Sequence, residues 1–141
     1  MPLTRITKFD GAYRFLSNFY PSPIVRQNIV YPTVEHAYQA SKTLDDLDRL
    51  CIARCGTPGK AKSIGKYVVL RDDWDGVRLQ IMEELLLTKF VDDTLRAKLL
   101  MTDKAELIEG NEWGDRFWGV CNGKGENHLG KLLMKVRTHY A

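Results

Sequence analysis

Nothing in these 141 residues approaches the ~18-residue apolar run of a membrane helix, and the opening stretch, Met1 to Asp10, is mixed and polar rather than leader-like. Neither a spanning nor a secreted protein is expected. Cysteine is scarce and odd in number: Cys51, Cys55 and Cys121. A disulfide framework is therefore not expected, and reduced thiols in a cytoplasmic protein are. Charge of one sign is also scarce. Twenty-one Lys and Arg against 18 Asp and Glu leave +3, well short of a dedicated nucleic-acid-binding domain. That balance suits an anionic small ligand where the basic residues cluster. No Cys or His stands at zinc spacing from His36 or from the Cys51/Cys55 pair, so no metal is expected.

The chain does have the makings of one ordinary core. Hydrophobic residues are 44% and charged residues 28%, globular values, and the length suits a single domain over residues 1–141. Ile24-Val25 and Ile29-Val30-Tyr31 read as a short hairpin around Arg26-Gln27-Asn28. Thr33 reads as the cap of a helix running to Lys42 or Leu44. Further helices are expected over Leu47–Ala53 and, after Thr57-Pro58, to Ile64. Val77, Ile81 and Leu85, with Met82, Leu86 and Phe90, give a helical stripe from Gly76 to Phe90. Leu95, Leu99 and Leu100 mark another helix, and Leu107-Ile108 a short strand. Gly110 to Glu126 reads as a long structured loop. Asn127 is expected to cap a last helix with Leu129, Leu132, Leu133 and Val136 facing the core. The fold class is mainly α with a small β component (α+β), its short strands near the N-terminus.

Chemistry concentrates in two segments. On a helix begun at Thr33, the residues Glu35, Tyr38, Gln39 and Lys42 share one polar face, while Val34, Ala37, Ser41 and Leu44 face the core. That polar face is either a solvated side of an amphipathic helix or a site. His36 falls on neither face and reads as a structural histidine. The second segment is Asn111 to Val120, where Trp113 and Trp118 flank Asp115. The two rings either plug the core or stack on a base or ribose. The glycines before Asn127 lead into a helix start whose N–H groups can receive a phosphate. Lys60, Lys62 and Lys66 are either a solvated face or a phosphate clamp.

Taken in order, these pieces resemble the NADAR family, also called YbiA-like, from about Phe9 to Arg137. The matching stretches are Phe15 to Pro21, Glu35 to Gln39 with Lys42, Ala61-Lys62 with Gly65-Lys66, and Arg71 to Trp74. They continue through Lys89-Phe90, Leu99-Leu100 with Thr102, Asp115 with Trp118-Gly119, and Asn127 to Arg137. The resemblance implies a compact single-domain fold and no cofactor. It also implies an N-glycosidase that cleaves a ribosyl C–N bond. Phosphoribosylamino-pyrimidine intermediates of riboflavin synthesis are one implied substrate; ADP-ribosylated guanine in DNA is the other. Glu35, Lys42 and Asp115 are then the expected catalytic residues. Asn18, Tyr38, Lys62, Lys66, Trp74, Trp118, Gly119 and Asn127 are the expected substrate contacts. No membrane and no obligate protein partner are implied. A non-catalytic ADP-ribose or nucleotide-binding module would use the same pocket without cleavage.

Overall fold

Two threonines that precede apolar-periodic segments start helices and cap them with their own side chains. Thr33 Oγ1 accepts the His36 N–H at 3.2 Å and Thr57 Oγ1 the Lys60 N–H at 3.1 Å, which satisfies donors that a first helical turn leaves open. The computed structural model describes residues 3–141. In chain order its elements are β1 (Arg5–Ile6), a 3-10 helix (Gly11–Leu16), β2 (Ile24–Arg26), β3 (Ile29–Tyr31), α1 (Val34–Ala40), α2 (Asp46–Ala53) and α3 (Pro58–Gly65). Then come α4 (Trp74–Lys89), α5 (Asp93–Met101), β4 (Glu106–Leu107), β5 (Gly110–Asn111), β6 (Val120–Cys121) and α6 (His128–Tyr140). The fold is mainly α with a small β component. Among the described residues no helix is long and apolar enough to cross a membrane.

The strands depart from expectation in one respect. β2 and β3 form the antiparallel hairpin, turned by Gln27 and Asn28, both at positive φ, as the twist of a two-residue hairpin requires. β4, β5 and β6, however, lie late in the chain. β4 pairs in parallel with β1, and β5 in parallel with β6, inside the stretch read as a loop. β4 lies one residue before the strand expected at Leu107-Ile108, whereas β5 and β6, of two residues each, carry too little alternation to be read from sequence.

The chain folds as two compact units: Asn18–Lys89, and the stretch up to Ser17 together with Phe90–Ala141. In the first, α1 is the central element, packed by α2, α3, α4 and the β2–β3 hairpin. All seven residues of α1 are buried, including Glu35, His36 and Gln39. Of the two readings of its polar side, a solvated face is therefore excluded: neighbours cover the helix on every side. Its apolar side also ends sooner than expected. α1 stops at Ala40, so Leu44 leaves the helical register and stands 66% exposed. α4 starts at Trp74 rather than Gly76, which brings Trp74 into the buried stripe with Ile81, Met82, Leu85 and Leu86. In the second unit, Leu107 and Leu133 are fully buried and α6 packs on β4. There the Arg137 guanidinium donates to Thr102 Oγ1 and the Ala105 carbonyl, both at 2.9 Å, tying α6 to the end of α5.

Candidate active site

The orientation of α1 is set by His36. Its Nε2 lies 3.0 Å from the Cys55 carbonyl, which only accepts, so Nε2 carries the proton. Nδ1 then accepts from the Thr33 hydroxyl at 2.8 Å. Both ring nitrogens are engaged, and the histidine is a structural pin between the start of α1 and the end of α2. With α1 held at that angle, Glu35 and Tyr38 project into the interior of their unit. The Glu35 N–H donates to the Asn18 carbonyl at 3.1 Å, which seats the chain before β2 against the first turn of α1.

Lys42 follows the helix end. Its carbonyl accepts the Arg71 N–H at 2.8 Å, and the Arg71 guanidinium is held on the Asp73 carboxylate at 2.6 and 3.1 Å. Lys42 Nζ stands 5.9 Å from the centre of the Tyr38 ring, within cation–π range. Tyr38 in turn packs on Trp74, ring centres 5.1 Å apart and tilted by 52°. The aromatic pair forms a wall, and the lysine amine lies over it. Burial pushes the Lys42 ammonium below its usual value; the Glu35 carboxylate opposes that shift, while Lys62, Arg78 and Lys66 add to it. A lysine with a lowered pKa holds more of its amine in the neutral, nucleophilic form.

Asn18 Oδ1 and Gln39 Oε1 are buried without a hydrogen bond. Buried acceptors of this kind are uncommon and costly. Asn18 Nδ2 has only the Met82 sulfur, at 3.6 Å. Gln39 Oε1 rests against Gly65, where an added Cβ would fall on top of it. Gly65 thus permits α1 and α3 to approach closely; α3 carries Lys62, and Lys66 caps its C-terminal end. Lys60, on the same helix, acts instead on Cys55, so the three-lysine run is divided between two surroundings.

Asn18, Glu35, Tyr38, Lys42, Lys62, Lys66 and Trp74 all belong to this one unit. Arg78 joins them and was not expected. With the helix start placed at Gly76, nothing marked Arg78 as one turn beyond Trp74. Asp115, Trp118, Gly119 and Asn127 belong to the other unit, where each has a clear local role. Asp115 Oδ1 accepts the N–H groups of Phe117 (3.1 Å) and Trp118 (2.9 Å), an Asx-type turn. Trp118 meets Phe117 edge-on, and both rings neighbour His128. Gly119 leaves no room for a Cβ beside Glu109 and Asn111.

The expected phosphate seat at the start of α6 is corrected by this structure. The N–H groups of Asn127, His128 and Leu129 already donate to the carbonyls of Gly119, Phe117 and Trp118. Nor does the Asn127 side chain cap α6. Asn127 is left-handed (φ 53°), its Oδ1 accepts the Glu109 N–H at 3.0 Å, and its Nδ2 donates to the Leu107 carbonyl at 2.9 Å. Among the described residues no three His, Cys, Asp or Glu gather to hold a metal ion.

The NADAR domain family matches residues 7–140, nearly the whole chain. The chain belongs to the NADAR family. It is 41% identical over 133 residues to the N-glycosidase YbiA of Shigella boydii serotype 4, covering 92% of this chain and 82% of that one. It is 35% identical to the riboflavin biosynthesis protein VVA0006 of Vibrio vulnificus, matching 91% of this chain but 36% of that longer one. The solution NMR structure of the Escherichia coli protein YbiA superposes with a TM-score of 0.86 at 39% identity, over 99% of this chain and 86% of that one. At this likeness the NADAR chain is an N-glycosidase.

Proposed function

We propose that the reaction runs at the Glu35–Lys42 cluster of the Asn18–Lys89 unit. Its substrate is a phosphorylated ribosyl compound with a C–N bond, either a phosphoribosylamino-pyrimidine or ADP-ribosylated guanine. The observation that carries this is the pairing of a buried carboxylate, Glu35, with an amine, Lys42, whose ammonium form is disfavoured. Cleaving a ribosyl C–N bond builds positive charge at the anomeric carbon, which a fixed carboxylate stabilises. The departing nitrogen must also gain a proton: Glu35 starts the step protonated, passes that proton on, and is the stabilising carboxylate thereafter. Lys42 acts as the nucleophile on the ring-opened sugar or as the charge that steadies it. In either case water supplies the hydroxyl to the anomeric carbon and a proton to the leaving nitrogen, and both side chains are regenerated. Tyr38 and Trp74 supply the apolar wall, and Lys62 and Lys66 meet the phosphate.

Asp115, with one oxygen engaged in its own turn, is proposed to orient the ribose or water, and Trp118, like Trp74, to build a stacking wall. The test uses the full chain with each substrate class in turn, scoring freed pyrimidine or freed ADP-ribose. Glu35→Gln and Lys42→Ala are each expected to lower kcat by roughly two orders of magnitude or more, in the range of a lost general acid or nucleophile. Near-normal turnover in both variants, on a substrate the wild type cleaves, refutes the assignment.

A further inference from the structure

The unit made of the chain up to Ser17 and Phe90–Ala141 holds a cavity of about 450 Å³, a size typical of small-molecule sites. Two helical faces build it. In the 3-10 helix, Ala12 and Phe15 are three apart and share a side; on α5 and its cap, Lys98, Met101 and Thr102 stand at i, i+3 and i+4. Leu3 completes an apolar wall with Ala12, Phe15 and Met101. Phe15 is buried, whereas Leu3 and Met101 are exposed, large apolar side chains left in water beside a hollow. Thr102 has its hydroxyl engaged, donating to the Leu99 carbonyl at 2.6 Å and accepting from Arg137 at 2.9 Å.

Two opposite charges also line the cavity. Lys98 Nζ stands 5.8 Å from the centre of the Phe15 ring, in cation–π range, so the ammonium is held over the apolar floor. Asp103 lies just past the cap of α5. Its backbone is left-handed (φ 53°) and its N–H donates to the Leu100 carbonyl at 3.0 Å, the way a chain reverses after a helix. The neighbouring Arg137 spends its Nη1 on Thr102 Oγ1 and the Ala105 carbonyl. Among the described residues neither Lys98 nor Asp103 is in an ion pair. An ammonium only donates and a carboxylate only accepts. An occupant that answers both therefore carries an anionic acceptor, a cationic donor and an apolar body.

We propose that this cavity binds a free α-amino acid with an apolar side chain. The side chain lies against Phe15, Leu3, Ala12 and Met101, the carboxylate meets Lys98, and the ammonium meets Asp103. The cavity shares no residue with the Glu35–Lys42 cluster, so the proposal stands independently of the reaction assigned there.

The test titrates the full chain with L-phenylalanine, 3-phenylpropionate and 2-phenylethylamine, read by calorimetry and by NMR shifts of the amides from Lys98 to Asp103. The probes share one ring; the second lacks the ammonium and the third the carboxylate. Phenylalanine is expected to bind more tightly than either, by about threefold to fivefold for each missing charge contact at this exposed depth. Lys98→Gln is expected to bring phenylalanine down to the level of phenylethylamine, and Asp103→Asn to that of phenylpropionate. Asparagine is at home in a left-handed position, so the turn is kept. Ala12→Phe, which fills the hollow, is expected to abolish binding of all three. Absence of any shift at millimolar phenylalanine overturns the site, and undiminished binding in folded Ala12→Phe overturns its location. Either singly charged probe binding as tightly as phenylalanine overturns the amino acid as its ligand.

Discussion

Gly65→Ala is the sharpest probe of how the pocket is held together. The added Cβ would lie on Gln39 Oε1, 2.9 Å from Gln39 Cδ and 3.1 Å from Gln39 Cβ. The amide can rotate away, but Gln39 is 3% exposed, and its own Cβ is fixed to α1. Overpacking of this kind costs about 1–3 kcal/mol. Alanine returns about 0.5–1 kcal/mol of helix propensity over glycine. The net expectation is a loss of about 1–2 kcal/mol in urea denaturation, or a fall of roughly 3–8 °C in Tm. Gln39→Ala alone is also destabilising, because it empties a buried site. In the double variant the clash disappears while the propensity gain stays, so the two changes are coupled by about 2 kcal/mol. KM for a phosphorylated substrate should rise in the single Gly65→Ala variant, since Lys62 and Lys66 flank the displaced turn. Stability within about 0.3 kcal/mol of wild type, or simple additivity with Gln39→Ala, would refute the reasoning, because additive changes are the mark of sites that do not touch.

Two further expectations bear on groups outside the reacting pair. Lys89 is buried in the last turn of α4, and burial pushes its ammonium from the ordinary 10.5 down to about 7. Between those values the unfolded chain binds more protons, so stability should rise with pH from about 7 towards 10.5; Lys89→Met should flatten that slope in urea titrations, and an unchanged slope would show that Lys89 is not its source. Asp115→Ala should cost about 1–3 kcal/mol by orphaning the Phe117 and Trp118 N–H groups, whereas Asp115→Asn, which keeps an acceptor oxygen, should stay close to wild type. A fully stable Asp115→Ala would refute that role in the turn.

Local signals were legible where one residue type does one job. Thr33 and Thr57 cap the helices they precede, and the Gln27-Asn28 turn sits between two β-branched runs. The motif residues from Asn18 to Trp74 fall within one unit. What periodicity could not show was depth. The spacing of Glu35, Tyr38 and Gln39 marks a polar side, but only the packing of α2, α3 and α4 reveals that this side is interior. Asn127 was misjudged for a related reason. A helix-start asparagine ordinarily caps, yet here β4 and the chain beside it offer the amide two backbone partners, and the left-handed backbone aims it at them. Arg78 was hidden by a two-residue error in the start of α4, enough to conceal that it follows Trp74 by one turn.

The pairing of β1 with β4 bears on the order in which the chain acquires its structure. Arg5 and Glu106, partners in register and joined at 3.3 Å, are 101 residues apart. Between them runs the whole of the Asn18–Lys89 stretch, which draws its own partners from within itself. On a ribosome that stretch has all its residues before β4 exists, while β1, made first, waits for a strand made much later. Closing so wide a loop is an entropic cost that local contacts do not share. Glu35 and Lys42 therefore draw their surroundings from residues made before β4. β1 cannot take its partner until β4 has been made.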